Sequence, residues 1–141
     1  MNIRIMQIED YDEVYALWRG TLSSLNDVDD SREGIDKYLK RNPDTCFVAE
    51  NNCKIIGAVL GGHDGRRGFI WHASVAKDKQ RQGIGEKLVN AVNDAFLKEG
   101  IQKVALVVFN ENEKGNSFWQ KQGFEERKDL VYRNKVLIDK R

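Results

Sequence analysis

Cysteine is scarce in this chain: Cys46 and Cys53 are the only two in 141 residues. They match neither a metal-ligand pattern nor a Cys-x-x-Cys pair, so no metal is expected and the two read as reduced thiols of a cytosolic protein. An excess of one charge is missing too, since 23 Lys and Arg face 22 Asp and Glu. Without a global positive field, or a basic stripe interleaved with aromatics, neither nucleic acid nor an anionic membrane is an expected partner. Long apolar runs are absent. No stretch approaches the roughly 18 apolar residues that span a bilayer, and the amino terminus Met1-Asn-Ile-Arg-Ile5 lacks the apolar segment of a secretory signal. A cytoplasmic location is the expectation. No repeat or low-complexity segment appears, and the length suits one compact domain, 1–141.

What is present is periodicity. Ile3 and Ile5 alternate as a first strand, and Asp10 with Glu13 makes a capping-box-like start to a helix carrying Val14, Leu17, Trp18 and Leu22. An acidic, turn-prone stretch (26–36) leads to a short second helix with Ile35, Tyr38 and Leu39, ended by Asn42 and the single proline, Pro43. The β-rich runs 46–50 and 54–60 flank Asn51-Asn52-Cys53, a connection that suits an antiparallel hairpin. Residues 61–68 read as a loop and 69–75 as a central strand. A long amphipathic helix follows, with Ile84, Leu88, Val89, Val92, Ala95 and Phe96 on one stripe and Gly100 closing it. Residues 104–109 are apolar throughout, as in a strand covered on both faces. Phe118 and Trp119 sit on a short helix ending near Gly123, and two last strands are expected at 124–127 and 131–137. The order predicts an α/β (α+β) fold, a mixed sheet of about seven strands with about four helices on its faces.

The most informative stretch is Ala73-Ser-Val-Ala-Lys-Asp-Lys-Gln80-Arg81-Gln82-Gly83-Ile84-Gly85, which joins a buried strand to the first turn of a long helix. A helix start leaves about four amides without internal partners and carries a partial positive charge, so it can cradle a pyrophosphate. Glycines there let a ligand approach the backbone. A P-loop would need Lys-Ser or Lys-Thr after the glycines, and a dinucleotide fingerprint would need a third glycine where Leu88 stands. Gly-x-Gly at a helix start is also compatible with a plain tight turn.

Gln80-x-x-Gly83-x-Gly85 after Ala73-Ser-Val resembles motif A of the GNAT acetyltransferases. Downstream, Asn112-Glu-Lys-Gly-Asn-Ser-Phe118-Trp119-Gln-Lys-Gln-Gly123-Phe124 looks like that family's Asn-x-x-Ala-x-x-Phe-Tyr-x-x-x-Gly-Phe, and the likeness spans nearly the whole chain. The resemblance implies a mostly antiparallel sheet whose fourth and fifth strands splay apart, with acetyl-CoA as cosubstrate. It implies that Ser74 and Val75 bond the pantetheine arm, which lies along them as a further strand would. The amides of Arg81, Gln82, Gly83, Ile84, Gly85 and Glu86 would hold the pyrophosphate. Asn112 would contact the pantetheine arm, and Phe118 would border it or serve the core. The acceptor would be a small-molecule amine or a protein amino group. Members of the family are often dimers, so a homodimer is compatible with it.

The reaction implied is direct attack of a neutral amine on a thioester, with a base to take the proton from an ammonium near pKa 10. His72, just before the cofactor stretch, is the candidate base or a hydrogen-bonded structural histidine. Where the family often has a tyrosine as general acid, Trp119 stands here, and an indole N–H donates a hydrogen bond without releasing its proton. Tyr132 is a substitute phenol or a strand aromatic. Gly62-His63-Asp64-Gly65-Arg66-Arg67-Gly68 resembles a loop of a bacterial branch of the family and would edge the acceptor pocket, or be a surface turn. Asp27, Asp29, Asp30, Glu33 and Asp36 would draw a cationic amine or form a solvated acidic face. Two functional classes remain: an N-acetyltransferase, and a catalytically weak acyl-CoA-binding or sensor module.

Overall fold

The hairpin expected around residues 51–53 is present, with a tight two-residue turn. In the computed structural model, which describes residues 1–139, Asn52 and Cys53 take φ of 52° and 64° between the paired residues Asn51 and Lys54. Two left-handed residues give a turn whose twist matches the flanking strands. Those strands, β2 (Phe47–Asn51) and β3 (Lys54–His63), form an antiparallel run with β1 (Asn2–Ile5) and β4 (Gly68–Val75), in the order β1-β2-β3-β4. β5 (Val104–Ala105) joins β4 in parallel. The sheet lies in a first unit, Met1–Leu106; a second unit, Val107–Arg141, holds the last helix.

β3 shows how the layers are set. Its Ala58 and Leu60 join a core cluster with Val14 and Trp18 of α1 (Tyr11–Thr21) and Ile35 and Leu39 of α2 (Arg32–Arg41). At the alternate positions, a Cβ on Gly57 would stand 3.0 Å from Leu88, and one on Gly61 would stand 2.8 Å from Val92, both on α3 (Ile84–Lys98). Side chains alternate between faces along a strand, so α1 and α2 cover one face and α3 the other. The missing side chains let α3 approach closely. Its stripe Ile84, Leu88, Val92 and Phe96 is buried, each side chain contributing about 2 kcal/mol relative to exposure. This corrects the loop expected over 61–68: Gly61, Gly62 and His63 continue β3, and only residues 64–67 turn.

The capping box also differs from the expectation. Asp10 receives the Gln7 amide at 2.8 Å and the Arg4 guanidinium at 2.9 Å on both oxygens, so it does not cap α1. Glu13 accepts the Ile55 amide at 2.7 Å instead, tying α1 to β3.

Register in β4 slips once. Ala58 faces Ser74 and Leu60 faces Trp71, so β4 spends an extra residue there, and His72 takes φ of 51°. Such a bulge bends and twists its strand. The β4–β5 ladder holds only Gly68 with Val104 and Phe69 with Ala105, and β4 from Ile70 onward has no further strand partner on that edge among the described residues. The splay expected of this strand pair is thus visible from β4, and the strand expected over 104–109 is reduced to two residues.

In the second unit, α4 (Glu113–Lys121) is capped at both ends. Asn112 accepts the Gly115 amide at 3.0 Å at its start. At its end Gly123 takes φ of 90°, its amide reaches the Gln120 carbonyl, and the Phe124 amide reaches the Trp119 carbonyl at 3.0 Å. That is the paired closure of a left-handed helix cap, and its usual apolar contact is made by the Trp119 and Phe124 rings, 5.2 Å apart. The strands expected at 124–127 and 131–137 do not form, and among the described residues the sheet has five strands rather than about seven. β-prone alternation becomes a strand only where a neighbour takes up the backbone groups. Here Val131, Tyr132 and Leu137 stand exposed, and Arg127 closes on Asp129 at 2.8 Å. Among the described residues no helix is long and apolar enough to cross a membrane.

Candidate active site

The bulge in β4 sets the position of His72. Because φ at His72 is positive, alternation is broken, and Trp71 and His72 both reach the layer of α1 and α2: Trp71 packs on the core cluster, while His72 meets Trp18 and Asp30. Non-glycine residues rarely hold this conformation, and where they do it is often part of a site. His72 Nε2 lies 2.8 Å from Asp30 Oδ1, with the two side chains only 11% and 7% exposed. Asp30 Oδ2 also accepts from Asn26, through its backbone amide at 3.1 Å and its side chain at 3.3 Å, and the Tyr11 hydroxyl bonds the Asp30 carbonyl at 2.7 Å. A carboxylate only accepts, so Nε2 carries a proton, and Nδ1 has no hydrogen-bond partner among the described residues. Trp18 meets the imidazole edge-on at 4.9 Å, and its own buried indole N–H has no hydrogen-bond partner among the described residues.

Ser74 and Val75 end β4, and Gln80 Nε2 bonds the Val75 carbonyl at 3.0 Å, folding the connection back on the strand. Arg81 at φ 65° and Gly83 at φ 83° then make successive left-handed turns into α3. Gly83 is the N-cap, with no side chain capping the helix, and the first helical bond runs from the Lys87 amide to the Gly83 carbonyl. The amides of Ile84, Gly85 and Glu86 therefore find no partner among the described residues. A Cβ on Gly83 would meet open space, so its glycine serves the backbone conformation and leaves the ground before the helix clear. This is a preorganised seat for an anion.

Asn112, Phe118 and Tyr132 belong to the second unit. The Asn112 carbonyl oxygen is taken up by the α4 cap, leaving its NH₂ to donate. Phe118 meets Trp119 edge-on at 4.9 Å, and Tyr132 is 57% exposed in a stretch without helix or strand. Neither cysteine is a nucleophile suited to a covalent intermediate. Burial pushes the Cys46 thiol up to about 12, and Cys53 sits on the hairpin turn.

The acidic stretch is mostly spoken for. Asp30 is buried on His72, Asp36 pairs with Lys40 at 3.0 Å, and Glu33 and Asp29 make no ion pair among the described residues. Sequence reasoning had Asp30 only as one acid among five. Its pairing with His72, 42 residues away, leaves no local trace in the sequence.

The model of the Acetyltransferase (GNAT) family matches residues 11–124, and the chain belongs to that family. An acetyltransferase of Pectobacterium atrosepticum is 31% identical over 141 residues, covering 100% of this chain and 99% of its own. Among solved structures, Ard1 from Thermoplasma volcanium superposes with a TM-score of 0.79 at 20% identity, over 86% of this chain and 80% of its own. A PaiA N-acetyltransferase from Thermoplasma acidophilum, in complex with coenzyme A, gives 0.76 at 20% identity, over 88% of this chain and 89% of its own. Family membership carries acyl transfer as the chemistry.

Proposed function

We propose that the chain, acting as a single GNAT domain over 1–141, is an N-acetyltransferase that moves an acetyl group from acetyl-CoA directly to an amine. The observation that carries this reading is the start of α3, where three amides without partners among the described residues follow Gly83, at which a Cβ would meet open space, after a β4 edge that pairs with β5 only at Gly68 and Phe69. Those groups fit the cosubstrate's pyrophosphate and amide-bearing arm, as coenzyme A in the Thermoplasma acidophilum neighbour agrees. Arg81, Gln82, Gly83, Ile84, Gly85 and Glu86 would hold the pyrophosphate; Ser74, Val75 and the Asn112 NH₂ would hold the arm, with Phe118 beside it. When bound, acetyl-CoA supplies an activated acyl carbonyl.

His72 supplies the base. Its Nδ1 takes the proton of the incoming ammonium, and Asp30 keeps Nε2 protonated and steadies the charge that His72 then gains. Trp119 is committed to the α4 cap, and Tyr132 is the phenol assigned to the departing thiolate. The unbridged thiols suit a cytoplasmic enzyme. Release of free CoA thiol from acetyl-CoA, measured over a panel of amines with CoA affinity taken by calorimetry on the same sample, tests the reading. Turnover with one acceptor upholds it, CoA binding without turnover leaves a sensor module, and absence of binding removes the cosubstrate assignment.

A further inference from the structure

Beside β4, on the face covered by α2, a cleft of about 450 Å³ is lined by Tyr38, Arg66, Arg67, Phe69 and Trp71. It lies wholly within the first unit, and its volume is that of a small-molecule site. We infer that this cleft takes an oxyanion, a carboxylate or a phosphate, carried by the acceptor amine, and that Arg67 is the residue that receives it. The inference rests on the transferase reading only in making the ligand an acceptor; the anion site stands on its own geometry.

Arg67 is half-buried, yet its guanidinium has no ion pair among the described residues. The acid nearest in sequence, Asp64, also lines the cleft but makes no ion pair with Arg67. Asp64 Oδ1 accepts the backbone amides of Arg66 and Arg67 at 2.8 and 2.9 Å, and these bonds hold the Asp64 carboxyl below the usual range. That carboxylate shapes the turn. His63, at the end of β3, is bound to Glu99 at 2.6 Å, and Arg66 on the same turn is exposed. A half-buried cation left without a counterion in a cleft is where an anionic ligand gains most, because a guanidinium can bind two oxygens at once.

A second group points the same way. Tyr38 lines the cleft, its hydroxyl makes no hydrogen bond among the described residues, and burial keeps its phenol well above the usual range and therefore a donor. It sits so close to Gly62 that a Cβ there would collide with it, so the glycine admits this hydroxyl. Phe69 and Trp71 stack at 4.4 Å and give an apolar wall for the part of the ligand between its two ends. Trp71 precedes His72, so the wall leads toward the proposed base. Four residues lie between Arg67 and His72, a rise of about 16 Å along an extended strand, of which the Arg67 side chain covers part. The anion and the amine are therefore several bonds apart, as in an ω-amino acid or an aminoalkyl phosphate, and not on neighbouring atoms.

The test compares aminovalerate, its amide and aminobutyl phosphate as acceptors, by thiol release and by calorimetry in the presence of CoA, for the wild type, Arg67→Gln and Arg67→Lys. CoA affinity on each sample serves as the control for folding. The wild type is expected to show a KM for one anionic amine about tenfold below that of the amide, a preference lost in Arg67→Gln and partly kept in Arg67→Lys. Whether the carboxylate or the phosphate binds better names the source of the anion. Equal KM values for anionic and neutral amines, or a preference that survives Arg67→Gln, would overturn the inference while leaving the transferase reading intact. If no acceptor turns over, the transferase reading fails, and the anion site is then decided by calorimetry alone: aminovalerate or aminobutyl phosphate binding to the wild type and not to Arg67→Gln upholds it, and no binding to the wild type removes it.

Discussion

His63 and His72 each bring Nε2 to a carboxylate, at 2.6 Å from Glu99 and 2.8 Å from Asp30. Their other nitrogens differ. The Gly65 amide donates to His63 Nδ1 at 3.0 Å, so both nitrogens of that ring are used in closing the β3–β4 loop onto the end of α3. His72 Nδ1 has no such partner, and its ring is held instead by Asp30 below and Trp18 at its edge. A histidine with both nitrogens bonded is a strut; one with a free lone pair and a fixed tautomer can accept a proton. Backbone conformation separates them as well, since His72 is the one carried on a bulge at positive φ.

The largest effect expected from this contrast is on the rate of transfer. His72→Gln should lower kcat by roughly 10²- to 10⁴-fold with CoA affinity unchanged within about twofold. Asp30→Asn should follow it with a smaller loss, because an amide can donate to Nε2 and so move the ring proton onto Nδ1. Steady-state kinetics beside calorimetry measures both. A His72→Gln enzyme that keeps its kcat would return His72 to the class of His63.

Most of this contrast was beyond the reach of the sequence. The glycine-bearing helix start was legible, because its position after a strand is a local pattern and local spacing determines it. The antiparallel hairpin and the α3 stripe were legible for the same reason. The Asp30–His72 pair was not, since it is made across 42 residues by the packing of the α1–α2 connection on the β4 bulge. Nor was the use of Gly61 and Gly62 inside β3, where glycine serves the approach of α3 and of Tyr38 and not a turn. The carboxy-terminal strands were expected from alternation at 131–137, but alternation states which face is apolar and says nothing of whether a partner strand is there.

A second, smaller effect falls on stability. Glu99→Gln keeps the shape of the His63 partner and removes its charge, so it should lower the stability of the domain by about 1 kcal/mol in urea unfolding while leaving kcat unchanged. The same urea titration on His72→Gln should show whether the buried Asp30, deprived of the imidazole, destabilises the domain further, as a buried carboxylate losing a partner does. A loss of kcat in Glu99→Gln would mean that the His63 end of the loop governs the chemistry, and the division between the two histidines would fall.

The smallest effect concerns a third carboxylate, one paired with a guanidinium. Burial of Asp10 opposes its charge, but the bonds from Arg4 and from the Gln7 amide, with the Arg4 charge, outweigh this and hold its pKa below the ordinary carboxylate value. A depressed folded pKa means that the unfolded chain takes up the proton first as pH falls. The stabilisation is therefore complete above an unfolded value of about 3.9 and is lost as pH falls through the folded one. Asp10→Asn should be less stable than the wild type at neutral pH, by a gap in urea midpoint that stays constant down to about pH 5 and closes below about pH 4. Because Asp10 ties β1 to the start of α1, far in the chain from either histidine, its variant should leave the kcat of His72 chemistry untouched. A gap that persisted unchanged in acid would show that Asp10 contributes through shape and not through charge, and the guanidinium pair would then no longer serve as the electrostatic reference for the two imidazole pairs.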